Sequence, residues 1–252
     1  MAKTAVIMQP TYLPWQGYFD LMDQSDVFVL LDSVQFDKRS WQQRNRVKTS
    51  RGECMLTVPV LTKGKSLQKI CEVEIDATSK FCAEHLKAIE LNYAKARYFR
   101  QYIDSLRGIY LKQPKYLCDL TVDMIFWIKN VLGIRAELLR SSSLGVEGTK
   151  ADLLVEICRK TGADVYLSPA RSRDYIGDGR LFTDHGIALL YHHYTPPVYT
   201  QLFGDFIPYL SVLDLIFNEG DRSLSVIRSG RRESLKGNTH DELPSVNVTG
   251  NC

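Results

Sequence analysis

Residues 4–32 read TAVIMQPTYLPWQGYFDLMDQSDVFVLLD, and this stretch decides the fold. Thr4 to Met8 is a short apolar run stopped by Gln9-Pro10, the pattern of a buried strand ending in a loop. Gly17 to Met22 carries apolar residues at helical spacing, and Val27 to Leu31 is a second apolar run ending at Asp32. Strand, loop, helix and strand within about thirty residues make a βαβ unit, hence an α/β chain built on a parallel sheet.

Working outward, Lys38 to Arg51 is strongly basic and Met55 to Val60 alternates as a strand does, with a turn at Lys63-Gly64-Lys65. From Thr78 to about Lys112, and again from Tyr116 to Leu132, apolar residues recur near helical spacing, so 78–132 reads as a helical insertion. Gly133 fits a helix stop, and Arg135 to Arg140 reads as a strand. Lys150 to Thr161 reads as a helix closed by Gly162, and Val165–Leu167 and Ala188–Tyr191 as further strands. Residues 1–230 are expected to form one domain, and 231–252, rich in Ser, Asn, Gly and charge, a disordered tail.

The chain has 252 residues, 44% apolar and 24% charged, enough for a full core. A formal charge of +3 is too mild to argue for nucleic acid by itself. Six cysteines without CxxC spacing support neither a zinc knuckle nor a secreted disulfide framework. No stretch approaches the roughly 20 apolar residues of a membrane span, and Met1-Ala2-Lys3 leads straight into a strand, so a cytoplasmic protein without membrane partners is expected. GxSxG, GxxxxGK[ST] and GxGxxG are absent, which removes the main support for hydrolase, ordinary ATPase and dinucleotide-binding readings.

Chemistry concentrates in four places. The loop Gln9 to Gly17 follows a parallel strand, where open α/β sheets bind ligands. Its Tyr12 and Trp15 offer flat faces, and Gly17 allows close approach at a helix start; alternatively the aromatics cap the core. The basic segment brings Arg44, Arg46 and Lys48 together with Gln35, Trp41 and Asn45. Arginine forks match phosphate oxygens and an indole stacks on a base, although a charge run also serves as a solvated face. Ser141-Ser142-Ser143 and Lys150 follow one strand, and Ser168, Arg171 and Tyr175 another. For the three serines, helix capping is the preferred reading. His192 to Asn218, with Tyr199 and Gln201, reads as an ordered flap; its histidine pair has no partner motif, so no metal is expected. Asp214 and Asn218, four apart, face either a ligand or neighbouring loops. Gln9, Asp32 and Lys48 are the catalytic candidates, with Asp32 orienting or deprotonating an amine.

Four blocks carry a resemblance. Residues 8–47, MQPTYLPWQGYFDLMDQSDVFVLLDSVQFDKRSWQQRNRV, then EHLKAIELNYAKARYF, then the SS-L-G-K and GAD-YLS segments, then HHYTPPVYTQLFGDFIPYLSVLDLIFNEG, make the chain similar to the WbqC-like family over about residues 4–220. The resemblance implies a transferase-like role, attaching an amino acid such as glycine, in a polysaccharide or nucleotide-sugar setting. The basic, Trp-bearing platform beside the strand-edge loop makes the expected acceptor of this small amine a phosphate-activated nucleotide, nucleotide sugar or modified DNA base. The resemblance identifies no cofactor. Pro169, Ala170, Arg171 and Arg173 stand where the family has a Gly-rich turn, which suggests a more anionic ligand. Ser40 and Gln42-Gln43 replace Gly and apolar residues, which would widen the site toward a polymer such as DNA. The first block also resembles pantothenate-synthetase-type nucleotidyl ligases, implying a nucleotidyltransferase-like (HUP/Rossmannoid) core. Their His-containing loop is replaced by Leu13 to Gly17. A nucleotidyltransferase or ligase and a non-catalytic nucleotide or nucleic-acid binding module are therefore the competing functions.

Overall fold

The computed structural model describes residues 2–237. The opening unit folds as its pattern dictates: β1 (Thr4–Met8), α1 (Gln16–Asp23) and β2 (Val27–Leu30), with β1 and β2 parallel and in register from Ala5–Val27 to Met8–Leu30. Every residue of β2 is buried, as expected of a strand covered on both faces.

The basic segment is a strand. Arg44–Thr49 (β3) pairs antiparallel with Gly52–Thr57 (β4), so the second strand starts and ends earlier than the alternation from Met55 to Val60 suggested. Gly52, at φ +103°, closes the turn. The helical insertion is three helices: α2 (Phe81–Tyr93), α3 (Phe99–Leu111) and α4 (Leu117–Leu132). The break at 94–98 is fixed from outside, where the Tyr98 amide donates to the Phe217 carbonyl at 2.9 Å. Gly133 and Gly162, both left-handed, end α4 and α5 (Lys150–Thr161) as their positions implied.

The remaining elements are β5 (Glu137–Arg140), β6 (Val165–Ser168), α6 (Arg173–Ile176), α7 (Arg180–Thr183), β7 (Ala188–Tyr191), α8 (Val212–Glu219), α9 (Ser223–Ser229) and β8 (Leu235–Lys236). The six-stranded sheet runs β5-β2-β1-β6-β7-β8, all parallel except β8. The protein is therefore an α/β fold with a mostly parallel, Rossmann-like sheet. The tail expectation fails at its start, because β8 pairs with β7 and the Arg231 guanidinium reaches the Asp20 and Asp23 carboxylates at 3.0 and 2.6 Å. Residues 238–252 lie outside the described residues.

Alternation along the strands sorts side chains to two faces. Val6, Phe28, Leu30 and Leu167 join the core made with α1, the helical insertion and α8, whereas Ala5, Ile7, Val29, Tyr166 and Tyr191 pack with α5 and α7. Each fully buried Leu, Val or Phe contributes about 1.5–3 kcal/mol. Chain order reverses between β1 and β6, so the crevice beyond their carboxyl ends is the topological switch point.

Candidate functional site

The proline loop is clamped on both sides. Leu13 adopts a left-handed φ of 46°, and Asn45 Nδ2 donates to the Tyr12 and Leu13 carbonyls at 3.2 and 2.7 Å. The Tyr12 amide donates to the Trp41 carbonyl at 3.0 Å, Gln42 Nε2 to Gln9 Oε1 at 2.9 Å, and the Val212 amide to the Pro14 carbonyl at 2.9 Å. Hairpin and loop are thereby one structure, and Trp41, Arg44 and Arg46 border it. Asn45 holds the loop through its carboxamide.

Within the loop the aromatics turn inward. Tyr12 is fully buried, its hydroxyl 2.7 Å from His85 Nδ1 and hydrogen-bonded to the Tyr110 hydroxyl. Trp15 packs against Tyr194 and Tyr209, with ring centroids 5.7 and 5.3 Å away. A Cβ at Gly17 would lie 2.3 Å from that indole, so Gly17 makes room for Trp15.

Arg44, Arg46 and Lys48 alternate onto one face of β3, beside Thr57, Met55 and Glu53 of β4. Met55 is 43% exposed and Trp41 37%, so this face is open at their end, whereas the flap covers it at Lys48. Arg46 lies 5.4 Å from the Trp41 ring centroid and makes two bonds to Glu53 at 2.8 and 2.9 Å. Arg44 is partly buried and, among the described residues, makes no side-chain hydrogen bond or ion pair; its Nε is buried without a partner. Lys48 is buried and reaches under the flap, donating to Gln201 Oε1 at 3.0 Å and to the Asp205 carbonyl.

Beneath Lys48 lies a cluster that the sequence reading only half resolved. Tyr199 and Tyr93 hydroxyls each donate to the Asp214 carboxylate at 2.9 Å. Burial pushes the Asp214 carboxyl up from its ordinary value despite those bonds and the nearby Lys48 ammonium. Neither loops nor a ligand is what Asn218 meets: its amide donates to the Asp214 carbonyl within α8. Tyr93 sits in a helix at core spacing, and nothing in its sequence context signals a polar role.

Asp32 does not present a free carboxylate. It accepts from Arg140 Nε at 2.7 Å, Ser141 Oγ at 3.1 Å, the Ser142 amide at 2.9 Å and Ser142 Oγ at 2.8 Å. Burial raises its pKa, but the Ser142 amide and the Arg140 guanidinium outweigh burial and hold the group below its ordinary value. Such a carboxylate is a weak proton acceptor. The same bonds replace the capping reading of the serines: Ser141 and Ser142 serve Asp32, and Thr149 precedes α5 without a side-chain cap. Arg140 was missed, since a charged residue closing a strand gives no sign of its partner.

The other candidates scatter. Gln35 Nε2 donates to the Ser66 carbonyl at 2.9 Å, and Lys150 and Arg171 are exposed. Ser168 is buried against Ser172, and Tyr175 is 51% exposed. His192 Nε2 lies 2.7 Å from the buried Asp20 carboxylate, tying the end of β7 to α1. A cleft of about 410 Å³, lined by residues including Asp23, Arg135 and Arg228, opens near the amino ends of β2 and β5; Arg231 ties its Asp23 to the Asp20 that meets His192. Among the described residues no helix is long and apolar enough to cross a membrane, and no group of three or more His, Cys, Asp or Glu could hold a metal ion.

A parallel sheet with a switch point, flanked by a cationic hairpin, defines a Rossmann-like α/β protein with a candidate anion-binding face. The chain belongs to the WbqC-like protein family, whose match covers residues 9–226. It is 38% identical over 232 residues to the uncharacterized protein Rv1507c of Mycobacterium tuberculosis, an alignment covering 91% of this chain and 100% of that one. No solved structure matches.

Proposed function

We propose that this protein is a transferase that binds a phosphate-bearing, nucleotide-type substrate on the open face of β3 and attaches a small amine or amino acid to it. One observation carries the reading: Arg44 brings a partly buried guanidinium without a described counter-charge to a face that already holds Trp41 and the Glu53-paired Arg46. A phosphate supplies the missing charge in bidentate geometry, and the indole offers a base its stacking surface. In the transfer, the amine nitrogen bonds to the activated carbon as the carbon–oxygen bond to phosphate breaks. The electron pair leaves with the phosphate, which also takes the amine proton, and Arg44 stabilises the charge that develops. Glycine as the amine, and a nucleotide sugar or modified DNA base as the acceptor, are the substrates this reading assigns to the site. The site borders Gln9 and the proline loop through Gln42.

A binding-only module is the second reading, favoured by Asp32, whose carboxylate is fully engaged and unsuited to act as the base. The test is nucleotide binding by wild type and Arg44→Ala across salt concentrations, followed by mass spectrometry of nucleotide sugars and pyrophosphorylated bases incubated with amino acids. A charge-assisted contact contributes about 1.5–3 kcal/mol, so Arg44→Ala should weaken binding roughly 10- to 150-fold at low salt. Equal binding by the two proteins sinks the site, and binding without any adduct leaves the module reading.

A further inference from the structure

The flap that covers Lys48 is tied down at its ends and hardly at all between them. The Thr195 amide donates to the Gly230 carbonyl and the Ser211 amide to the Arg46 carbonyl, both at 2.9 Å, whereas among the described residues no backbone-to-backbone hydrogen bond involves residues 196–210. Tyr199 anchors the start of the flap on Asp214, and beyond it the holds come from β3. Lys48 Nζ donates to Gln201 Oε1 and to the Asp205 carbonyl, and Arg46 Nη2 to the Tyr209 carbonyl at 3.4 Å. The Gln201 carboxamide in turn bonds both the amide and the carbonyl of Ile207, so a grip on Gln201 is a grip on the flap tip. Phe203 and Tyr209 have left-handed φ of 61° and 59°, which bulky side chains avoid, so the closed flap is held against local strain. Segments with so few main-chain bonds are the ones that open locally.

We infer that residues 200–210 are a lid latched by the Lys48 ammonium, and that an anion arriving along β3 opens it by competing for that ammonium. Both acceptors of Lys48 are neutral oxygens, and the nearby Asp214 carboxylate is taken up by the Tyr199 and Tyr93 hydroxyls, so the buried ammonium has no ion pair among the described residues. A phosphate oxygen is a stronger acceptor for an ammonium than a carboxamide or a carbonyl. Arg46 and Lys48 stand two residues apart on one strand face, about 7 Å, so one pyrophosphate group spans their side chains. The lid also carries the exposed Asp205, whose carbonyl Lys48 holds and whose carboxylate repels the same anion. The latch is set by these contacts alone, and its release rests on the phosphate-binding role proposed for the β3 face.

The experiment is limited chymotrypsin digestion of wild type, Lys48→Met and Arg44→Ala at constant ionic strength, with and without inorganic pyrophosphate. Cleavage at Phe203 and Phe206 is followed by mass spectrometry, and pyrophosphate binding by calorimetry. Nicking tracks the open population. Lys48→Met, which takes the donor from the Asp205 carbonyl, should therefore be nicked in the flap about tenfold faster than wild type without ligand, while cleavage elsewhere stays at the wild-type rate. Pyrophosphate should speed nicking of wild type and leave Lys48→Met and Arg44→Ala unchanged. A second measurement needs no variant: acylation of Lys48 in native wild type should run at a rate flat in low urea, because a local opening exposes little surface. Equal ligand-free nicking of wild type and Lys48→Met overturns the latch, as does Lys48 acylation that rises with urea as steeply as global unfolding. Pyrophosphate that binds without changing the nicking rate overturns release by an anion. No pyrophosphate binding at all removes the phosphate site and the release together, and the ligand-free comparison still decides the latch.

Discussion

Arg140 Nε donates to Asp32 Oδ2 at 2.7 Å, joining the carboxyl end of β2 to that of its neighbour β5. The Asp32 side chain is fully buried, while Arg140 is partly open to solvent, so the pair is half shielded. Asp32→Asn would leave the Arg140 guanidinium without its carboxylate and set an amide against the Ser142 amide. Breaking such a pair should cost about 3 kcal/mol, measured as a shift in the urea midpoint. Because folding lowers the Asp32 pKa, its contribution is fully present above the unfolded value of 3.8 and is lost as pH falls through the folded one. An unchanged midpoint in Asp32→Asn would return the residue to the role of a free acid.

A different residue governs the milder acid range. Burial depresses His85 from 6.5 to about 4, opposed by a bond to the Thr57 backbone. A depressed histidine stabilises the fold above its unfolded pKa and withdraws that contribution as pH falls toward the folded value. Stability should therefore drop between pH 6.5 and about 4, by up to about 3 kcal/mol. His85→Gln, which does not titrate, should flatten this part of a stability–pH curve; a wild-type curve already flat there would count against the buried neutral ring.

Gly17 tests whether the proline loop is shaped by packing or by a ligand. Alanine favours a helix over glycine by about 1 kcal/mol, but a Cβ at 2.3 Å from the Trp15 indole forces repacking that costs about 1–3 kcal/mol. Gly17→Ala should therefore lower stability in wild type and become neutral or stabilising in a Trp15→Ala background, as thermal denaturation of the cycle would show. A gain in both backgrounds would mean that the indole moves freely.

The Arg44→Ala comparison completes this set, since it removes a partly buried guanidinium from the Trp41 end of β3.

By itself, the sequence determined the α/β class, the opening βαβ unit, the glycine stops at 133 and 162 and the family, because local periodicity and backbone preference act within a few residues. It also marked Lys48, Tyr199 and Gln201, which meet in one cluster, and set Trp41 among the arginines. Tertiary structure alone decided which of those groups face outward. Whether Arg44 or Arg46 finds a carboxylate among the described residues depends on the register of β3 against β4, whether Asp32 is a base or a tie depends on Arg140 more than a hundred residues away, and Tyr12 and Gly17 serve packing because an inward tyrosine and an indole occupy the space. Hydrogen-bond partners and solvent access are properties of three-dimensional neighbours, and nothing within a residue's own stretch of chain encodes them.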